Sequence, residues 1–460
     1  MRRTLTLAAI ASLLVTGVAG VPAQAVAAPS EVAKAPDSVA YLVDTYGVTQ
    51  AEAVRRLKVQ AASRDLGRQL RQDLPDRYAG MWLDQKNGGE LVVGLTAGDK
   101  SDVAAKLPSF VRLRTQPATY SMAQLEAMKA RIEPSLGDGE AAVIDVHRNR
   151  LAVWTPGTAT VTRMSSLTRL TAAEPGVVVA RRQQGRLATE DKAEATTAPT
   201  AKAGPPCHVL ICGPAPMRGG YRLDVPRDDG TTGPCTAGFN IRGSNGWQYI
   251  ITAGHCFRGS NHTHIDKTSH NGIAVGYEDT VLTNSSYPKD YAISPYQTKP
   301  DQVDYWGGTP RNLVRHQCAS SHVSCVSKDW PVWDQWNYED ILLGFIACRT
   351  GSADTASGGG GWLTGTYCGE VTDFNGGIVT NHCGRKGDSG GPLFSQFDNS
   401  AYGILHDGTD VKGPCYGANG TNEEWSDFTA LSVALDDAWL QNWLNGGGDI
   451  DYELITSANG

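Results

Sequence analysis

Cysteine is absent from the first 206 residues of this 460-residue chain, and all ten cysteines fall between Cys207 and Cys415. No C-x-x-C pair occurs, so the spacing argues for disulfides in an exported chain rather than for zinc. Charge is sparse at 19%, with a formal net charge of −7. That balance gives no reason to expect nucleic acid or an anionic membrane as a partner. Long apolar runs are also missing. The first runs from Leu5 to about Ala19, is preceded by Arg2 and Arg3, and is followed by Ala23-Gln24-Ala25 and Ala25-Val26-Ala27. It is too short to span a bilayer and reads as a signal peptide over residues 1–28. The chain is therefore expected to be secreted, extracellular and free of membrane anchors. Hydrophobic content of 40% suits a globular protein, and the length allows about two to four domains.

What remains divides into three parts. Residues 29–185 read as a small α+β domain of two similar halves. Thr49 and Glu52 make a capping box for a helix whose Val59, Ala62, Leu66 and Leu70 recur on one face. "MWLDQKNGGELVVGLT" (81–96) reads as a hairpin turning at Asn87-Gly88-Gly89. Ser121 and Gln124 cap a second helix carrying Leu125, Met128 and Ile132, and "AVIDVHRNRLAVWT" (142–155) is a second hairpin candidate. Residues 186–206 are rich in Ala, Thr, Lys, Glu and Pro and cannot bury enough surface to order themselves, so they read as a linker and processing segment. Residues 207–460 carry many short strand candidates and turns, the pattern of an all-β sandwich or barrel. The exception is a closing helix over 431–445, inferred from Leu431, Leu435, Trp439 and Trp443 with Gly446 as its stop.

"NHCGRKGDSGGPLF" (381–394) sets four glycines around Ser389. Such a cluster is costly unless the backbone needs φ > 0 or a close approach. A serine there is a candidate nucleophile, and it needs a base and a group to orient that base. His255 in "ITAGHCF" follows an apolar strand; Asp290 in "KDYAISPY" leads into one. The order His255, Asp290, Ser389 is one of the known orders of a Ser-His-Asp triad. Gly387-x-Ser389-x-Gly391 also fits the elbow of an α/β-hydrolase esterase. That fold requires a helix after the serine and then an acid and a histidine; here only His406 follows, in a β-like segment.

"TAGHC" and "GDSGGP" resemble the signature motifs of chymotrypsin-like serine proteases. "MRGGYRLDV…CTAGFNI", "CRTGSADTASGGGGWLTGTYCG" and "CGRKGDSGGPLF" resemble landmarks of the secreted bacterial streptogrisin and α-lytic type. The likeness covers residues 216–445 well, and 29–185 more loosely resembles the pro-regions of those enzymes. It implies two antiparallel six-stranded β-barrels with a C-terminal helix, and a serine endopeptidase made as a proenzyme, acting as a monomer on protein or peptide substrates without a cofactor or metal. Its own pro-region would be a folding helper and inhibitor. A catalytically silent homologue acting as a binding protein is the alternative.

The same resemblance implies an oxyanion hole from the N–H groups of Gly387 and Ser389. It also implies a buried ion pair of Asp388 with Arg349, and disulfides Cys235–Cys256, Cys348–Cys368 and Cys383–Cys415. Cys318–Cys325 and Cys207–Cys212 rest on proximity alone. Asn381 would stand at the base of the substrate pocket, where trypsin has an acid, with His406, Asp407 and Gly408 as a wall. An apolar or aromatic P1 residue is then expected. His406 stands where relatives carry serine, beside the catalytic acid. The tryptophans of 318–340 are expected to pack on the barrel, and His262, His264 and His270 to be solvated.

Overall fold

The computed structural model describes residues 29–98, 100–172, 174–182, 211–226, 232–258, 268–296, 305–307, 312–317, 328–354, 363–409, 415 and 424–456. The expected signal peptide, the linker, Cys207, Cys318, Cys325, His262 and His264 lie outside these residues. Among the described residues no helix is long and apolar enough to cross a membrane.

The N-terminal region is one motif used twice. In the first unit the helix Gln50–Asp73 precedes the hairpin Tyr78–Asp84 and Glu90–Leu95; the short helix Ser101–Ala104 then leads to Leu113–Pro117. That last strand runs parallel to Glu90–Leu95. The second unit repeats the order with the helix Met122–Ile132, the hairpin Ala141–Asp145 and Arg150–Thr155, the helix Val161–Thr171, and Val177–Arg181 parallel to Arg150–Thr155. A parallel return needs a crossover, which the second helix of each unit supplies. Local chemistry starts the helices. Ser121 and Gln124 form the full reciprocal box, and Thr49 and Thr160 each accept a backbone N–H three residues on.

From residue 211 onward the chain is mostly β. Ser400–Gly408, Pro392–Ser395, Ile346–Asp354, Leu363–Phe374, Ile378–Thr380 and Ser426–Ala430 pair in that order. Ser426–Ala430 also pairs with Ser400–Gly408, which closes a six-stranded barrel. A second closed ring is not formed among the described residues. Four strands before it and one after it make a five-stranded sheet, from Thr283–Asn284 through Tyr291–Pro295, Gln248–Thr252 and Asn240–Gly243 to Tyr452–Leu454. A four-stranded sheet of Ile273–Gly276, Thr268–His270, Arg222–Pro226 and Thr232–Thr236 lies beside it. One apolar cluster draws Leu223 and Val225 from the smaller sheet and Ile250 and Ala292 from the larger.

The closing helix spans Leu431–Leu444, and the apolar residues it buries are Leu431, Ala434, Leu435 and Ala438. Trp439 and Trp443 do not continue that face; they are 36% and 56% exposed. Steps of four residues overshoot a 3.6-residue turn by about 40° each, so a row of such steps leaves the buried side within three turns. Within 318–340 lie the strands Lys328–Val332 and Asp334–Gln335. Trp330 and Trp336 are buried there as expected, while Trp333 is exposed.

The first N-terminal unit shares its core with the barrel. Val39, Leu42 and Leu57 pack with Ile346, Phe394 and Ile404. Val59, Leu66 and Met81 pack with Trp336, Phe345 and Tyr402. Gln60 closes a two-way bond with a barrel strand: its Nε2 donates to the Ile346 carbonyl at 2.9 Å and its Oε1 accepts from the Ile346 N–H at 2.7 Å. Leu83 N–H donates to the Leu343 carbonyl at 2.9 Å. Next to it Gly344 has φ +83°, and any Cβ there would collide with the Leu83 carbonyl. A glycine is needed at that crossing both for its backbone angle and for the bare space. The second unit has its own core of Leu125, Met128, Leu151, Val153 and Leu167.

Candidate active site

His255 sits in the 3-10 turn Gly254–Cys256, directly after the buried strand Gln248–Thr252. Asp290 precedes the buried strand Tyr291–Pro295, which pairs with Gln248–Thr252. Adjacent strands thus deliver the two side chains to one end of one sheet. His255 Nδ1 lies 2.7 Å from Asp290 Oδ2, and the His255 backbone N–H donates to Asp290 Oδ1 at 2.8 Å. Asp290 is 3% exposed. Burial pushes its carboxyl up, but the attraction of His255, the hydrogen bonds from His255 and the nearby His406 outweigh burial and hold it below the usual aspartate value.

Ser389 belongs to a tight turn that enters the barrel strand Pro392–Ser395. Its carbonyl accepts from the Thr236 N–H at 2.8 Å and lies 3.8 Å from Cys256 Sγ. Cys256 is bonded to Cys235. The serine's backbone is therefore seated on the disulfide that adjoins His255, across 133 residues of chain. The flanking glycines have the work expected of them. Gly387 and Gly390 have φ of +101° and +87°, and at Gly390 a Cβ would strike the Thr252 hydroxyl and the Thr236 carbonyl.

Asp388, between them, is fully buried. One carboxylate oxygen accepts from Arg349 Nη1 at 2.9 Å and the Arg385 N–H at 3.0 Å. The other accepts from the Ala353 N–H at 2.9 Å and Thr364 Oγ1 at 2.6 Å. Four donors leave this carboxylate no freedom to swing toward the serine, and they fix the turn that carries it. Cys348–Cys368 and Cys383–Cys415 are both closed. Cys212 is disulfide-bonded as well.

Around the expected pocket the placements differ in kind. Asn381 turns its amide to the Glu370 N–H at 2.7 Å and to the hydroxyl of Tyr41, in the N-terminal region, at 2.9 Å. His406 and Asp407 are both buried on Ser400–Gly408, and Asp407 Oδ1 accepts from the Gly408 N–H at 2.8 Å. The sequence reading missed four buried groups here. His382 has its ring between Thr380 Oγ1 and the Ala347 carbonyl, and burial draws its pKa down to about 3. Arg385 and Glu424 form a buried pair at 3.2 Å. Asp427, on the strand that closes the barrel, faces His406. His382 and Arg385 flank Cys383 and were open to notice; nothing in the local sequence marks Glu424 or Asp427.

His270 is a correction to the expectation of solvated histidines. It is fully buried, stacks on Tyr221, and bonds through its ring to the Arg222 carbonyl and the Gly213 N–H. It fills the four-stranded sheet's core because its two ring nitrogens find backbone partners there. Among the described residues no group of three His, Cys, Asp or Glu is arranged to hold a metal.

The family described as Alpha-lytic protease pro N-terminal matches residues 51–105. "Serine protease 2" of Streptomyces fradiae is 29% identical over 198 residues, covering 38% of this chain and 88% of the relative. "Serine protease 1" of the same organism is 25% identical over 373 residues, covering 78% of this chain and 83% of the relative. A solved glutamic acid specific serine protease, described as using a novel histidine triad in substrate binding, aligns with TM-score 0.32 and 22% identity over 48% of this chain and 96% of its own. That score is too low to argue from.

Proposed function

We propose that this chain, a serine protease of the α-lytic and streptogrisin type with a pro-region, cuts peptide bonds through an acyl-enzyme on Ser389. The observation that carries the reading is His255, bonded through ring and backbone to buried Asp290, with the Ser389 turn seated against the adjoining disulfide. In this mechanism His255 takes the proton of Ser389 as the hydroxyl attacks the scissile carbonyl, then returns it to the leaving amine. Asp290 orients the ring and stabilises the imidazolium. The N–H groups of Gly387 and Ser389 receive the oxyanion, and the positive φ of Gly387 favours that arrangement. Asn381, His406, Asp407 and Gly408 are the proposed pocket residues.

Residues 1–28 are the proposed export signal, 29–185 the pro-region, 186–206 the segment cut on maturation, and 207–460 the secreted enzyme. The shared cores support a pro-region that assists the fold and inhibits the enzyme until it is removed. The five- and four-stranded sheets, packed on one apolar cluster, are the proposed first barrel of a two-barrel fold. A crystal structure of the mature enzyme tests that point.

A fluorophosphonate probe applied to the culture supernatant tests the rest. The labelled protein should begin near residue 207 and carry the label on Ser389. Ser389→Ala should abolish labelling and lower kcat by several orders of magnitude. A label on another residue, or an active secreted form that keeps residues 29–185, would refute the proposal.

A further inference from the structure

His406 stands between two buried carboxylates. Its Nδ1 lies 4.0 Å from Asp290 Oδ2, and its Nε2 lies 3.4 Å from Asp427 Oδ1. His406 is 2% exposed and Asp427 is fully buried. Neither His406 Nε2 nor Asp427 Oδ1 has a hydrogen-bond partner among the described residues, so a proton on Nε2 would meet an acceptor within reach. The second Asp427 oxygen accepts from Asn375 Nδ2 at 2.8 Å. Tyr287 lays its ring against His406, with centroids 5.3 Å apart. In the proenzyme Arg182 lies over the Tyr287 ring. Tyr338 and Asp373 also feel the charge of Asp427. With the pro-region gone, the His406 ring faces two acids and one phenol, and one of the acids, Asp290, also holds His255.

A neutral imidazole has one N–H donor, whereas an imidazolium has two, one for each acid. Two buried carboxylates facing one ring favour the form that serves both. We propose that His406 is a positioning residue which, as an imidazolium, bridges Asp290 to Asp427 and sets the basicity of His255. The inference rests on the Ser389–His255–Asp290 reading. Its consequence has a definite sign. A cation beside Asp290 offsets part of the negative charge that supports a proton on His255, so His255 gives up its proton at lower pH. The enzyme then retains a competent base further into acid than a serine at position 406 would allow.

The test uses the mature enzyme produced from the full chain. For His406→Gln and His406→Ser, the acid limb of the kcat/KM profile should move to higher pH by about one unit. In the wild-type enzyme labelled with 15N-histidine, both His406 ring nitrogens should show protonated shifts at neutral pH. An unmoved acid limb in the variants, or one unprotonated His406 nitrogen in the wild type, overturns the inference. The nitrogen spectrum decides even where a variant fails to fold. Probe labelling of Ser389 separates the two levels. Labelling with an unmoved limb rejects only the role of His406, whereas absence of labelling removes the triad and the inference with it.

Discussion

The N-terminal region and the catalytic region are stabilised by opposite means. The first has no cysteine, and several of its ion pairs reach water, with Arg148 and Arg112 60% and 55% exposed, although Arg56 beside Glu52 is buried. Its strands pair with near neighbours in sequence. The second closes at least three disulfides and contains fully buried arginine–carboxylate pairs, Arg349–Asp388 at 1% and 0% exposure and Arg385–Glu424 at 6% and 2%. It also joins distant segments, as where Tyr452–Leu454 pairs with Asn240–Gly243. Short-range contacts form quickly and are easily lost, whereas long-range β pairing forms slowly because loop closure precedes its reward. If the N-terminal region acts as proposed, the chain would have a fast-folding surface to assemble against and a durable product once that surface is gone.

The largest effect should come from separating the regions. Expressed alone, residues 207–460 should yield little active enzyme, and supplying 29–206 in trans should restore it by orders of magnitude in active-site titration. Full activity from the catalytic region unaided would dissolve the contrast.

A smaller effect compares one ion pair from each region, in a Ser389→Ala chain that cannot digest itself. Arg349→Met leaves Asp388 charged and buried among its remaining donors, and should cost about 3–5 kcal/mol in denaturant unfolding of the catalytic region. Arg148→Ala removes an exposed pair within one hairpin and should cost less than about 1 kcal/mol after solvent screening. Similar losses for both would mean that burial does not distinguish the regions.

The sequence made parts of this contrast legible and hid others for identifiable reasons. The Ser389 turn and the His255 turn could be read because their glycines and flanking apolar strands are local signals. Asp290 could be read because a lone acid opens an apolar strand. The helix Gln50–Asp73 followed from its cap and spacing. The helix Pro36–Tyr46 was missed although Pro36 stands at its first position and Gly47, at φ +62°, ends it. Leu113–Pro117 and Val177–Arg181 were missed because each is the parallel third strand of its unit, and its partner is fixed only after a crossover. Asp427 was beyond local reading altogether. "SDFTA" alternates like any half-exposed strand, and only closure of the barrel against Ser400–Gly408 turns its acid toward His406. Pairings that depend on tertiary closure leave no short-range trace.

The smallest predicted effect lies at the seam between the regions, at Asp37. Its Oδ2 lies 2.7 Å from His316 Nε2 and accepts from Gln396 Nε2 at 2.5 Å. The Gln396 side-chain oxygen Oε1 in turn accepts from the backbone N–H groups of Asp37 and Ser38 at 3.1 and 3.2 Å. Burial pushes the Asp37 carboxyl up, but the hydrogen bond and charge of His316 and the bond from Gln396 outweigh it and hold the pKa below the usual aspartate value. A carboxyl depressed in the folded state contributes stability that is complete above its unfolded value and is lost as pH falls through the folded one. The side chain is 34% exposed, so the contribution is discounted for solvent to about 1 kcal/mol. In the Ser389→Ala proenzyme, Asp37→Asn should therefore lower stability by about that amount at pH 6.5. The gap between parent and variant should close as pH falls below about 4, where the parent's own carboxyl takes up a proton. A gap undiminished at the lowest pH at which the parent stays folded would show that shape rather than charge holds this helix to the barrel, and no gap at pH 6.5 would show that the bond is incidental.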